Sequence, residues 1–291
     1  MSRPLTTIDR RGLARISTPD GAIFVVAADQ RNSMRALMDE DASRVTAADL
    51  YAAKADIASI LGEAAPGILF DSEVSLPGVI DDGSLPVRCA AVAGLDASGY
   101  DTDGDLRRTR FVEGMDPGKA RRMGADVVKM LDYVRADREG PESFVGRRLR
   151  DLQAACDDEG ILLIAEFLTY RLPEESEDDY RARFPELVAG AAAFGAACGA
   201  KLLKIPYPGS AAGCARVTSA ADGVPWAVLS AGAGFEKYLE QVRTARENGA
   251  AGAVGGRAIW KDAVPLDQTE RRRLLREKAL PRVRALAAAL A

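Results

Sequence analysis

The chain has 291 residues, 47% hydrophobic and 28% charged with only 14 prolines, a balance that excludes a disordered or fibrous protein and leaves room for a large core. Its 39 basic and 43 acidic side chains give a formal charge of −4. No run of five like charges occurs, which argues against a nucleic-acid or membrane-surface role and for a small-molecule partner.

Eight short β-rich runs follow turn residues at fairly regular intervals. In order they are AIFVVAAD (22–29), GILFDS (67–72), RCAAVAGL (88–95), ADVVKMLDYV (125–134), ILLIAEFLTY (161–170), AKLLKIPY (200–207), PWAVLSAG (225–232) and GAVGGRAI (252–259). Between them, SRVTAADLYAAKADIASIL, FVGRRLRDLQAACDDEG, FPELVAGAAAFGAACGA and GFEKYLEQVRTARENGA have the spacing of amphipathic helices, several closing on Gly. Alternating strands and helices with near-continuous apolar strands imply a parallel sheet covered by helices, and eight units predict a (β/α)8 TIM barrel in a single α/β domain spanning residues 1–291. An open doubly wound sheet is the alternative, but no GxGxxG turn follows the first strand.

Two polar segments interrupt the rhythm: residues 96–119 after the third strand, and YRLPEESEDDYRARFPE after the fifth. Each reads as a loop at the barrel mouth, a lid or a solvated excursion. The last segment, RVRALAAALA, offers an Ala-rich face for packing on the barrel or on another subunit, so a homo-oligomer is compatible with the sequence.

Cys89, Cys156, Cys198 and Cys214 lie far apart with no CxxC pair or zinc-type spacing, and no apolar signal segment opens the chain, so a reduced, cytoplasmic enzyme is expected. The apolar stretches are too short, or too diluted by Gly and Ala, for a membrane span. The chain has no histidine. Histidine-based triads, general bases and metal sites are thereby removed, and chemistry at neutral pH falls to Lys, Asp, Glu, Tyr, Cys or a cofactor.

Four strands carry a charged residue near the carboxyl end of an otherwise apolar row: Asp29, Lys129, Glu166 and Lys204. In KLLKIPYPGS, Lys204 shares a face with Leu202 and Pro206, whereas Lys201 stands at the strand entrance, where its ammonium is expected to reach water. Isolated buried charges are expensive, so four at strand ends predict one shared cavity. A lysine needs roughly 4 kcal/mol of differential destabilisation to be neutral near pH 7, which burial and a second cation can supply. Lys129 is the expected second cation for Lys204. A neutral Lys204 can condense with a ketone to a Schiff base, and Glu166 then shuttles protons in place of histidine.

The last two strands add an anion site. LSAGAGF (229–235) ends a strand and opens a helix, presenting the backbone amides of Gly232 to Gly234. GGRAIW (255–260) brings Gly256 and the guanidinium of Arg257 beside them, at the recurrent phosphate position of this barrel. A phosphorylated substrate is expected.

These residues resemble the class I aldolase family that contains tagatose 1,6-bisphosphate aldolase and sulfofructose 1-phosphate aldolase. The matching pieces are AADQRNSMRALM (27–38), GILFDSEVSLPG (67–78), GADVVKMLDY (124–133), AEFLTY (165–170), KLLKIPYP (201–208), VLSAG (228–232) and GGRAIW (255–260), in family order over nearly the whole chain. The resemblance implies a (β/α)8 fold, no metal or cofactor, and cleavage of a ketose 1-phosphate to dihydroxyacetone phosphate and an aldehyde. It implies Lys204 as the Schiff-base lysine, Lys129 as the lysine of the fourth strand and Glu166 as acid/base. Asp29, Gln30 and Arg31 would hold substrate hydroxyls and the charged far end, and Ser230, Gly232 and Arg257 the phosphate. DQRNSMR is closer to the sulfosugar branch, FDSEVSLPG and EFLTY to the tagatose branch. Residues 96–119 match neither branch well, which leaves any anion contact from Arg107, Arg108 or Arg110 open. A phosphosugar isomerase or epimerase using paired acids, and a non-catalytic sugar-phosphate sensor, remain the competing readings.

Overall fold

All eight predicted runs form parallel strands in the computed structural model, which describes residues 4–291. In chain order the strands are β1 (Ile23–Ala28), β2 (Gly67–Asp71), β3 (Ala90–Gly94), β4 (Asp96–Asp103), β5 (Leu106–Phe111), β6 (Val127–Tyr133), β7 (Leu162–Leu168), β8 (Leu203–Pro206), β9 (Trp226–Leu229) and β10 (Gly252–Gly255). A closed barrel runs β1-β10-β9-β8-β7-β6-β3-β2, and β4 and β5 pair separately as an antiparallel hairpin. The chain is therefore a (β/α)8 barrel with one hairpin inserted after its third strand.

Strand alternation sorts the apolar side chains into two cores. Val25, Leu69, Val92, Val127, Ile164, Leu202 and Val254 fill the barrel interior, while neighbours such as Phe24, Val26, Leu203 and Ile205 face the helical ring. The helix Thr7–Arg15 closes the amino-terminal end, where Leu13 and Ile16 join the interior cluster. Lys201 takes part in this closure rather than reaching water: it is 3% exposed, and its Nζ donates to Asp9 at 2.7 Å and Asp157 at 2.6 Å. The plug helix thus supplies the counter-charge that makes burial tolerable.

The interruptions are more ordered than expected. Residues 96–111 form the β4–β5 hairpin, whose Arg107 guanidinium lies 4.5 Å from the ring centre of Tyr100 and 4.7 Å from that of Tyr170. The second polar segment is mostly helical, because the helix Glu177–Ala197 starts at Ser176, whose side chain accepts from Asp179 N–H, and carries three acidic residues in its first turn. Pro185 lies inside that helix at the cost of one intrahelical hydrogen bond. The final helix, Leu280–Leu290, buries Leu280, Val283, Leu286 and Leu290 and packs on the helix Phe235–Glu247. Among the described residues, no helix is long and apolar enough to cross a membrane.

Barrel closure between β10 and β1 requires a glycine. Gly252 is the register partner of Ile23, and a Cβ at 252 would lie 1.9 Å from the Ile23 carbonyl oxygen. Gly252→Ala is therefore expected to lose at least about 3 kcal/mol in chemical denaturation. Gly140→Ala, where nothing lies within 4 Å, should match the parent protein.

Candidate active site

The carboxyl ends of the barrel strands surround a cavity of about 570 Å³. Every residue singled out from the sequence lines it: Asp29, Gln30 and Arg31 after β1, Lys129 on β6, Glu166 on β7, Lys204 on β8, Ser230 and Gly232 after β9, and Gly256 and Arg257 after β10.

Lys204 and Glu166 are register partners across β8 and β7, so the two side chains point into the barrel together, and Lys204 Nζ donates to Glu166 Oε2 at 2.8 Å. Lys129 stands one inward step below Leu131, itself the register partner of Glu166, and its Nζ lies 2.9 Å from the same oxygen. One carboxylate oxygen therefore receives two ammonium groups. Lys129 also donates to Asp29 Oδ2 at 3.1 Å and to Asp96 Oδ1 at 2.9 Å. Asp96 Oδ1 accepts the backbone N–H of Leu131 as well, at 3.1 Å.

Burial alone would strip Lys129 of its proton, but the carboxylates of Asp96, Glu166 and Asp29 outweigh it and hold the lysine well above its ordinary pKa. For Asp29, burial is outweighed by Lys129 and Lys204, and its pKa falls to about 2. Asp96 moves upward: burial, with repulsion from Asp29 and Glu166, exceeds the pull of Lys129. The expectation that Lys129 acts on Lys204 as a bare like charge is modified accordingly. Three carboxylates meet the charge of Lys129, and the two lysines are joined through Glu166.

The neighbouring wall, after β9 and β10, suits an anion. Ser230 Oγ accepts the Gly256 backbone N–H at 3.3 Å, tying the two loops together and leaving the hydroxyl hydrogen for a ligand. Gly232 has φ +77°, and a side chain there would meet the Arg257 guanidinium carbon at 3.5 Å. Ala231 is also left-handed, at φ 45°, a conformation that costs an L-residue roughly 1 kcal/mol and was not foreseen. The helix Phe235–Glu247 begins just beyond, with no side-chain cap on its first N–H groups.

The cavity also contains Asp96, Ser98 and Tyr133, which sequence reasoning missed. Asp96 had a legible signal: it is an aspartate just past the end of the third barrel strand, as Asp29 is past the first. Tyr133 lies two residues beyond Leu131 on the inward face of β6. Arg107, Arg108 and Arg110 do not line the cavity; Arg108 pairs with Asp103 and Glu139, and Arg110 with Asp101.

A sequence model of the family described as DeoC/LacD family aldolase matches residues 23–262. The tagatose 1,6-diphosphate aldolase of Streptococcus agalactiae serotype V is 26% identical over 292 residues, covering 89% of this chain and 87% of that protein. The corresponding protein of Staphylococcus epidermidis is 25% identical, covering 91% and 89%. Among solved structures, a Schiff-base-forming fructose-1,6-bisphosphate aldolase superposes with a TM-score of 0.64 at 19% identity, covering 97% of this chain and 99% of the other. The fructose-bisphosphate aldolase from Slackia heliotrinireducens gives 0.65 at 16% identity, covering 98% and 92%. At such identities the structural likeness speaks for the fold.

The lowered pKa of Asp29 makes a stability statement. Its contribution is fully present above the ordinary carboxylate value of 3.8 and is lost as pH falls through about 2. Asp29→Asn should therefore be less stable than the parent at pH 6, by roughly 2 kcal/mol in urea denaturation, and the gap should narrow as pH falls from 5 toward 2.

Proposed function

The chain belongs to the DeoC/LacD aldolase family and is a lyase, and from that premise we propose a class I reaction in which Lys204 forms a Schiff base with a ketose 1-phosphate. The products are dihydroxyacetone phosphate and a three-carbon aldehyde. The observation that carries this reading is the unequal pairing of the two lysines: among the described residues, Lys129 is held by three carboxylates and Lys204 by Glu166 alone. Lys129 cannot readily give up its proton. Lys204 can pass one to Glu166 along a 2.8 Å hydrogen bond when the substrate ketone arrives.

The neutral Nζ attacks the substrate's C2 ketone. Glu166 returns the proton to the carbinolamine oxygen, water leaves, and an iminium forms between Lys204 and C2. Glu166, again a carboxylate, accepts the proton of the C4 hydroxyl while the C3–C4 bond breaks; its electron pair moves into the iminium, giving an enamine and releasing the aldehyde. Protonation at C3 and hydrolysis free dihydroxyacetone phosphate and regenerate the lysine. In this scheme Lys129 orients Glu166 through the shared oxygen. Ser230, Gly232, Gly256 and Arg257 hold the C1 phosphate, and Asp29, Gln30 and Arg31 hold the hydroxyls and far end. Two substrates fit these residues: tagatose 1,6-bisphosphate, for which the curated relatives are named, and 6-deoxy-6-sulfofructose 1-phosphate, toward which DQRNSMR points. The four cysteines are unpaired and buried, which suits a cytoplasmic setting.

Borohydride added with dihydroxyacetone phosphate should reduce the iminium and leave a mass adduct on the peptide containing Lys204, with none in Lys204→Met. Glu166→Gln should lower kcat for dihydroxyacetone phosphate release by roughly 10²- to 10⁴-fold in a coupled assay run with both ketose phosphates. Turnover without an adduct would sink the imine and favour an isomerase-type acid pair; an adduct-free protein that binds but does not turn over is a sensor.

A further inference from the structure

The two arginines that line the cavity differ in what already occupies them. Among the described residues, Arg257 has no carboxylate partner, so its full charge is open to a ligand. Arg31 is crowded: Nε donates to Ser98 Oγ at 3.2 Å, Nη2 donates to the Asp96 carbonyl oxygen at 3.2 Å, and Nη1 is in ion-pair contact with Glu73 Oε2. The first two contacts fix the plane of the guanidinium against the start of the β4–β5 hairpin. The third is of another kind. It is an ion pair whose carboxylate partner faces solvent. Glu73 itself is 45% exposed at the side chain, against 11% for Arg31.

A half-exposed carboxylate paired with a mostly buried guanidinium that lines the cavity is open to exchange with an anion of the ligand. Beside it, Gln30 is tied to Asp29 through Nε2 at 2.8 Å, while its Oε1 is buried without a partner and so accepts from a hydroxyl. Building on the ketose 1-phosphate reading above, we infer that Glu73 is a specificity-determining residue that competes with the anionic tail of the substrate for Arg31. A tail ending in a plain hydroxyl leaves the Arg31–Glu73 pair in place. A tail ending in phosphate or sulfonate must displace Glu73, and a doubly charged phosphate does so more readily than a singly charged sulfonate. Selectivity at this end is thus set by an attractive cation and a competing anion together.

The test compares tagatose 1-phosphate with tagatose 1,6-bisphosphate on the parent enzyme and on Glu73→Gln, a conservative change at a half-exposed position. The kcat/KM ratio of bisphosphate to monophosphate should rise about tenfold in Glu73→Gln. In an Arg31→Gln background the same Glu73→Gln change should leave the ratio where it was, since the competition has lost its object. An unchanged or lowered ratio in the single variant, or an equal rise in both backgrounds, overturns the inference. The ratio of dissociation constants from calorimetry is read alongside and decides the matter even if neither sugar is cleaved. Failure of the aldolase reading is recognised separately, by the absence of a borohydride adduct.

Discussion

Glu166 Oε2 lies within 2.9 Å of two lysine amines, and the rest of the site follows from that contact. A single oxygen between two buried ammonium groups is a stable arrangement only if there is further counter-charge, and Asp29 and Asp96 supply it by direct contact with Lys129. The result is a division between two chemically identical side chains. One is an immobile cation that fixes the carboxylate. The other has a single partner, and that partner is also a proton acceptor. In the proposed reaction the choice of reactive amine would therefore follow from the number of carboxylates around it rather than from its own depth, since both lysines are about equally buried.

That arrangement depends on the barrel in two ways. Register across β7 and β8 places Glu166 and Lys204 level, and register across β6 and β7 places Lys129 one inward step lower, so Lys129 reaches upward to the oxygen that Lys204 meets from the side. Beneath them the interior is apolar: Val127, Ile164 and Leu202 occupy the next inward positions on the same three strands. An apolar floor raises the cost of any unpaired charge above it, which keeps the carboxylates and amines in contact. The floor is sealed in turn by Ile16 and by the Asp9–Lys201 pair of the amino-terminal helix, so a charged residue at the strand entrance contributes to closure.

What was legible in the sequence divides along the same line. Strand position and inward phase are local properties of an apolar run, and they sufficed to find all eight barrel strands and to bring Asp29, Lys129, Glu166 and Lys204 to one cavity. Partners that come from another segment were not legible. Asp96 belongs to a stretch whose polarity suggested solvent, yet it sits where a barrel strand has just ended, and Lys129 makes its burial affordable. Lys201 was misjudged for the mirror reason, because Asp9 lies 192 residues away in sequence. Ser176 shows a third kind of failure: its cap and acidic first turn were readable as a helix start, but Pro185 masked the continuity of the helix that follows.

Strand order also gives the proposed substrate a direction. Around the barrel, β9 and β10 come next to β8, so the loops with Ser230, Gly232, Gly256 and Arg257 adjoin the wall that carries Lys204. A C1 phosphate held there leaves C2, one carbon away, beside the amine. β1 pairs with β10 and Gln30 lies close to Gly256, whereas Arg31 is held by Asp96, Ser98 and Glu73, so in the proposed binding mode the chain from C3 to C6 runs past Gln30 toward Arg31. In that proposed mode the open cation, Arg257, meets the phosphate that every ketose 1-phosphate shares, and the countered cation, Arg31, meets the part where such sugars differ. On that reading, binding strength common to all substrates would come from the first, and discrimination among them from the group whose charge is already contested.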